Sequence, residues 1–107
     1  MGKVPAETLK RSVFSHLGVE NRDVILGPSL GEDGAVINVG NRVLISAMDP
    51  ITGAAEKIGW LAVHINANDV ATFGVQPSFF SCCMLLPENT AEDAVEAICM
   101  QIDQAAR

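Results

Sequence analysis

Four acidic side chains in this sequence have types and positions suited to binding a metal ion. Glu32 and Asp33 precede an alternating apolar segment, Asp49 follows the next one, and Asp69 lies in a long apolar stretch. Carboxylate oxygens are ligands that Mg²⁺ prefers, and one or two of them commonly hold the ion together with substrate phosphates. The residue types therefore suit Mg²⁺ bound beside a phosphate-bearing ligand.

A predicted β-hairpin positions the first three acids. Segments 35–39 and 43–47 alternate in polarity, and Gly40 and Asn41 between them have the composition of a two-residue turn. A loop rich in glycine, proline and serine, residues 27–34, leads into the first strand. The hairpin thus begins and ends beside carboxylates.

The register of this hairpin predicts which acids meet. With Val39 opposite Arg42, continuing the pairing places Glu32 opposite Asp49, with Asp33 beside them. Like charges that face each other destabilise a sheet, so we expect either water to screen them or a cation to neutralise them. The alternative is that these three acids lie at the exposed open end of the hairpin and have no function.

The fourth acid lies in a helix predicted over residues 54–73 and closed by Gly74. Asp69 continues an apolar stripe at helical spacing, formed by Ile58, Leu61, Ala62 and Ile65. An ionised group on a buried face is costly unless it is paired or metal-bound, which makes Asp69 a functional candidate. A local cap to Thr72 is the alternative. Asn68 is suited either to bind a ligand or to satisfy backbone groups.

Other chemistry has weaker support in the sequence. His64 fits a packed residue better than a base, and we expect Trp60 to bury its ring at an interface or against the sheet. The chain has no nucleophile elbow, no Walker A motif and no GxGxxG. Catalytic residues stay unassigned, and phosphate binding would depend on a cation and the loop 27–34.

Three further elements complete the expected fold. Residues 5–17 predict a helix ended by Gly18. The apolar run 78–86 predicts a strand buried on both faces and stopped by Pro87. A last helix opens with Thr90 as its N-cap; Asp93 takes the capping-box position, and Val95, Ile98 and Ile102 follow at helical spacing.

The cysteines favour packing over chemistry. Cys82, Cys83 and Cys99 form no CxxC pair and have no histidine cluster nearby. We therefore expect neither a disulfide framework nor a zinc site, and we interpret all three as core residues.

Length and composition set limits on the function. The 107 residues are 49% hydrophobic and carry a formal net charge of −6, which predicts one folded domain and disfavours binding to nucleic acid or to a membrane surface. We expect a cytoplasmic protein. The fold class is α+β, a mostly antiparallel sheet with helices on one face and the other face free to pair in a homodimer.

Three segments resemble the N-terminal domain of the AIR synthase-related (PurM-like) superfamily. Residues 31–36 are similar to its Gly-Asp-Asp-Ala-Ala-Val segment, and Asp49 is similar to the aspartate that ends the second strand. Residues 68–71 with Gly74 are similar to its Asn-Asp-(Leu/Ile/Val)-Ala segment. The resemblance implies that residues 1–107 are an ATP- and Mg²⁺-binding domain that pairs in a homodimer, with a C-terminal domain absent from this chain.

The resemblance also implies the site residues. The nucleotide ligands would be Gly31, Asp33, Asn68 and Asp69, and the metal ligands Glu32, Asp33, Asp49 and Asp69. The final helix meets the chain end without a C-cap signal, which suggests a fragment of a longer enzyme. We expect the 107 residues alone to be inactive.

Within the superfamily, residues 61–71 resemble the hydrogenase-maturation factor HypE, which dehydrates a carbamoyl group and would imply partner maturation proteins. The Phe-Pro-Gly-Gly-Asp segment that precedes this helix in HypE is missing. A member similar to thiamine-monophosphate kinase or AIR synthase is the alternative. Glu32 and Gly34 replace the usual Asp and Ala, so a dimerisation module without catalysis is a further hypothesis.

Overall fold

The computed structural model describes residues 3–53 and 56–107, which divide into two units, 1–46 and 47–107. In chain order the elements are α1 (Ala6–Thr8), a π-helical turn (Leu9–Val13), β1 (Val24–Leu26), β2 (Ala35–Val39), β3 (Arg42–Ser46), α2 (Ile58–Ala71) and α3 (Glu92–Ala105). The antiparallel sheet and the helices confirm the α+β class. In the described part of the chain, no helix combines the length and apolar character needed to cross a bilayer.

The hairpin of the first unit has the predicted register. β2 and β3 pair antiparallel from Ala35 opposite Ser46 to Val39 opposite Arg42. Gly40 has a φ of 64°, whereas Asn41 is not among the described residues with positive φ. A positive φ at only the first turn position matches a type II′ turn, whose twist suits the strands. The turn residues therefore fix the pairing.

Two features of the first unit differ from the prediction. The sequence prediction missed β1, a three-residue strand that pairs with β2 through an irregular register. The first helix ends at Val13 rather than at residue 17. Two side chains occupy its last carbonyls: the Ser15 hydroxyl donates to Arg11 O (2.5 Å), and His16 Nδ1 lies 3.1 Å from Ser12 O. Such local bonds satisfy the end of a helix without extending it.

In the second unit α2 and α3 pack together at a glycine. A Cβ atom at Gly59 would lie 2.5 Å from Ile98 O and 2.8 Å from Gln101 Cβ. Gly59 and Val63 are the buried residues of α2, and they are four residues apart, on one face of the helix. The absence of a side chain at Gly59 therefore lets the two helices approach closely.

Gln101 of α3 supplies the N-terminal cap that α2 lacks locally. Lys57, the residue before α2, makes no side-chain cap. Instead, Gln101 Oε1 accepts a hydrogen bond from Gly59 N (2.9 Å), and Gln101 Nε2 donates to Glu56 O (2.8 Å). The first amides of a helix have no partner within it, so this side chain satisfies one of them from the neighbouring helix.

The prediction of a buried strand over residues 78–86 is wrong. The segment has no regular secondary structure, and Phe79 and Leu85 are 98% and 92% exposed. The described sheet contains only β1, β2 and β3, so this run has no partner strand in the chain. An apolar run forms a buried strand only when neighbouring strands satisfy its backbone and cover its faces.

The last helix and the cysteines also need correction. Ala91, not Thr90, precedes α3, because the Thr90 hydroxyl donates to Pro87 O (2.5 Å) and closes a preceding turn. Val95, Ile98 and Ile102 are the half-buried side of α3, as their spacing predicts. All three cysteines are free and exposed rather than in the core, since two lie in the irregular segment and Cys99 faces away from α2.

The predicted helix over 54–73 is shorter in the structure. α2 begins at Ile58, and residues 54 and 55 lie outside the described residues. Its C-terminal end agrees with the prediction, because Gly74 adopts a φ of 78° just beyond it.

Replacing Gly59 by alanine should reverse the usual effect of that substitution. Alanine ordinarily stabilises a helix by about 1 kcal/mol over glycine, but here the methyl group meets Ile98 O. We expect the free energy of unfolding of the full chain to fall by about 1–3 kcal/mol, measured by denaturant titration with circular dichroism. Ala97→Gly, at an exposed position of α3, is the control, because it measures the effect of helix propensity on the free energy of unfolding without a change in packing. A more stable G59A protein would contradict the close packing.

Gln101→Met should destabilise the second unit through the lost cap. The side chain keeps its length but leaves the Gly59 N–H without its partner, which costs about 1–3 kcal/mol when the donor is shielded from water. Gln101→Glu keeps the acceptor oxygen and should lower the free energy of unfolding by less than Gln101→Met does. Gln104→Met, on the exposed side of α3, is the matched control, and equal losses at positions 101 and 104 would rule out a capping role.

Candidate metal and nucleotide site

The first unit contributes an exposed acidic loop between β1 and β2. Glu32 and Asp33 are both exposed there, next to Gly31, whose φ of 78° lies in the left-handed region that favours glycine. The β2–β3 ladder ends at Ala35, so the predicted facing of Glu32 and Asp49 lies beyond the paired residues. The two carboxylates of this loop are accessible to a ligand.

In the second unit, a side-chain amide holds Asp49 against α2. Asn66 Oδ1 accepts a hydrogen bond from Asp49 N at 2.7 Å, and Asn66 Nδ2 donates to Asp49 O at 3.2 Å. The same Nδ2 also donates to Ala62 O at 2.7 Å, one turn earlier in α2. Both backbone groups of Asp49 are thus paired with a single side chain, which we call the Asn66 clamp.

Sequence reasoning missed Asn66, although a signal was present. Asparagine is a poor helix-interior residue because its amide competes for backbone groups. Asn66 stands in the middle of α2, with Ile65 and Ala67 beside it. A half-buried asparagine at such a position commonly bonds to a neighbouring segment, and here that segment is residue 49.

Asp69 lies one turn beyond the clamp on the same helix. Residues three apart on a helix are neighbours, with Cβ atoms about 5–6 Å apart, so α2 carries Asp69 one turn from Asn66, the residue that holds Asp49. Asp69 is half-buried, not on a buried face as predicted, because α2 packs through Gly59 and Val63. The Thr72 hydroxyl donates to the backbone carbonyl of Asp69 at 2.6 Å. Asn68 is exposed.

The donor chemistry of the second unit fits Mg²⁺ with a phosphate ligand. Among residues 3–53 and 56–107, no three histidine, cysteine, aspartate or glutamate side chains are grouped to hold a metal by themselves. Mg²⁺ rarely needs such a cage, because one or two carboxylates and the phosphates of a substrate complete its ligands. Asp49 and Asp69 are the candidate carboxylates of the second unit, and their joint binding of an ion stays a prediction. The four-carboxylate set with Glu32 and Asp33 stays a prediction.

The side-chain rings of His64 and Trp60 contact each other. Their ring centroids are 4.0 Å apart, with the planes tilted by 38°. Trp60 is 46% exposed and lines a groove of about 190 Å³ with Glu56, Lys57 and Gln101. The contact agrees with a packing role for His64, and the ring of Trp60 is less buried than predicted.

Comparison with curated proteins finds distant relatives. A protein of Methanocaldococcus jannaschii, named as a hydrogenase expression/formation protein, is 27% identical over 111 residues, covering 99% of this chain and 33% of that protein. The thiamine-monophosphate kinase of Archaeoglobus fulgidus is 27% identical over 64 residues, covering 52% of this chain and 22% of the kinase. The chain therefore spans a third or less of the length of these relatives.

Comparison with solved structures finds no significant match. The model of the family described as AIR synthase related protein, N-terminal domain, matches residues 31–107. This range holds the acidic loop, the hairpin, Asp49 and both long helices, and it is well over half of the chain. The chain belongs to the AIR synthase-related family and contains its N-terminal domain.

Proposed function

We propose that this chain is the nucleotide-side domain of an ATP-dependent enzyme of the hydrogenase-maturation type. The observation that carries the proposal is the Asn66 clamp, which holds the backbone of Asp49 against α2, the helix that also carries Asp69. The two carboxylates would bind Mg²⁺ together with the ATP phosphates. From the resemblance to the family motifs, we also propose Glu32 and Asp33 as metal ligands and Gly31 and Asn68 as nucleotide ligands.

The proposed reaction needs little covalent chemistry from this domain. Dehydration of a carbamoyl group removes its oxygen and two protons from its nitrogen. Transfer of the γ-phosphoryl group of ATP to that oxygen would release ADP and let the oxygen leave as inorganic phosphate. Such transfers depend mainly on positioning and on neutralising phosphate charge. The carboxylates of Asp49 and Asp69, the first held against α2 and the second on it, would supply positioning, and bound Mg²⁺ would supply the positive charge.

The choice among branches rests on the second unit. Residues 61–71 resemble the hydrogenase-maturation pattern, and the Methanocaldococcus relative aligns over 99% of this chain. The alignment with the thiamine-monophosphate kinase covers half of the chain, which supports a kinase-like enzyme as the second candidate; an AIR synthase-like enzyme is the third. A maturation enzyme would act with partner maturation proteins.

We also propose that the chain associates as a homodimer. Val63 is the sole buried apolar side chain among the described residues, and the accessible surface is 8807 Å². Two separate compact bodies of the sizes of its units would together expose about 6,900 Å². Large apolar side chains such as Phe79 and Leu85 lie in this exposed surface, and exposed apolar patches mark association sites. Association alone would also suit the alternative, a dimerisation module without catalysis.

Titration calorimetry of Mg²⁺ and ATP into the full-length gene product tests the proposed enzyme. We expect binding in the parent and a loss of more than about tenfold in affinity in Asp49→Asn and Asp33→Asn, because each removes a charged ligand. Asn38→Asp, at an exposed position in β2, is a control that should bind as the parent does. A folded parent that binds no nucleotide would overturn the enzyme and leave the dimerisation module.

A charge in the exposed apolar segment should weaken the dimer. Leu85→Lys would bury an unpaired charge if residues 78–86 lie in the interface, and we expect the dimer dissociation constant from sedimentation equilibrium to rise more than about tenfold. Val19→Lys alters a residue of similar exposure in the first unit, 97% against 92% for Leu85, and should leave the dissociation constant unchanged. Unaltered association in L85K would exclude this segment from the interface.

A further inference from the structure

We propose that Asn66 is a positioning residue for Asp49, which makes the carboxamide on α2 a determinant of cation affinity. The inference rests on the proposed function, since it assigns a role within the proposed metal and nucleotide site. It goes beyond the family motifs, which account for Asp49 and residues 68–71 and leave Asn66 without a role.

The hydrogen bonds of Asn66 leave its side chain little freedom. A carboxamide has one acceptor oxygen and two N–H donors, and here the oxygen takes the Asp49 N–H while the nitrogen serves Asp49 O and Ala62 O. The bond to Ala62 O lies within α2 and fixes the side-chain rotamer. The two bonds to residue 49 then transfer the rigidity of the helix to that residue.

Without this clamp Asp49 would have no regular structure to hold it. It lies three residues beyond the end of β3, directly before Pro50, and is exposed. Fixing one residue of an irregular segment costs conformational entropy, so a cation that had to order Asp49 would bind less tightly. The clamp orders the backbone of Asp49 before the ligand arrives, which is preorganisation.

The chemistry of the clamp also explains why an amide suits this position better than a carboxylate. Aspartate at position 66 would keep the acceptor for Asp49 N but lose both donors, and it would add a negative charge beside Asp49 O and Ala62 O. Leucine would fill a similar volume and make none of the three bonds. Asn66→Asp and Asn66→Leu therefore separate partial from complete loss of the clamp.

The test measures Mg²⁺ affinity, in the presence of a non-hydrolysable ATP analogue, and the exchange rate of the Asp49 amide in the full-length protein. We expect Asn66→Leu to weaken Mg²⁺ binding by about 10- to 100-fold, as loss of an outer-shell partner does, and to speed exchange of the Asp49 amide. Asn66→Asp should keep that amide partly protected. Ala97→Gly, at an exposed position of α3, is the control for general destabilisation and should leave Mg²⁺ affinity near its parental value.

A double-mutant cycle with Asp49→Asn distinguishes positioning from a merely structural role. If Asn66 acts through the Asp49 carboxylate, Asn66→Leu has little further effect on Mg²⁺ affinity once Asp49 is asparagine. Parental Mg²⁺ affinity in Asn66→Leu, or an equal loss in both backgrounds, would overturn the positioning role while leaving the proposed enzyme intact. A parent that binds no Mg²⁺ would overturn the proposed function itself, and with it the role of Asn66.

Discussion

The close approach of α2 and α3 at Gly59 is the constraint on which the second unit depends. Position 59 has room for a hydrogen atom but not for a methyl group beside Ile98 O. The side chain of Gln101 bonds to Gly59 N and Glu56 O at the N-terminal end of α2. The contact fixes where α2 begins and which face is turned inward. The faces that remain carry Asn66, Asn68 and Asp69. The placement of the proposed ligands on this helix therefore follows from a residue that has no chemistry of its own.

A second level of organisation attaches an irregular segment to that helix. Asp49 owes its place to two backbone hydrogen bonds with Asn66 rather than to the sheet it follows. The carboxylate of Asp49 takes no part in the clamp. In the proposed site, the backbone of Asp49 is thus held by the clamp, and its side chain is the part assigned to ligand binding.

The sequence was sufficient where local rules decide the structure. Gly40 and Asn41 determine a two-residue turn, and the turn determines every pair of the β2–β3 ladder. The C-terminal end of α2 follows in the same way from Gly74. The family motifs likewise identified Asp33, Asp49 and Asp69 as candidate ligands.

Long-range partners could not be predicted in the same way. Nothing near Gln101 in sequence indicates that its amide caps a helix more than 40 residues earlier, and nothing near Asn66 points to Asp49. The apolar run 78–86 was interpreted as a buried strand because apolar side chains are usually removed from water. Composition indicates that such side chains favour burial, but it does not identify the surface against which they pack. The cysteines were misplaced for the same reason, since two of them lie in that run.

The exposed apolar segment has a thermodynamic consequence for the whole chain. Surfaces such as those of Phe79 and Leu85 contribute roughly 25 cal/mol for each Å² removed from water, and in the described chain that contribution is not realised. A second copy of the chain that covered the segment in the folded state, as we propose, would stabilise the fold by mass action, in proportion to the logarithm of its concentration. The midpoint of thermal unfolding would then depend on the solution as well as on the sequence, and dilution alone would lower it.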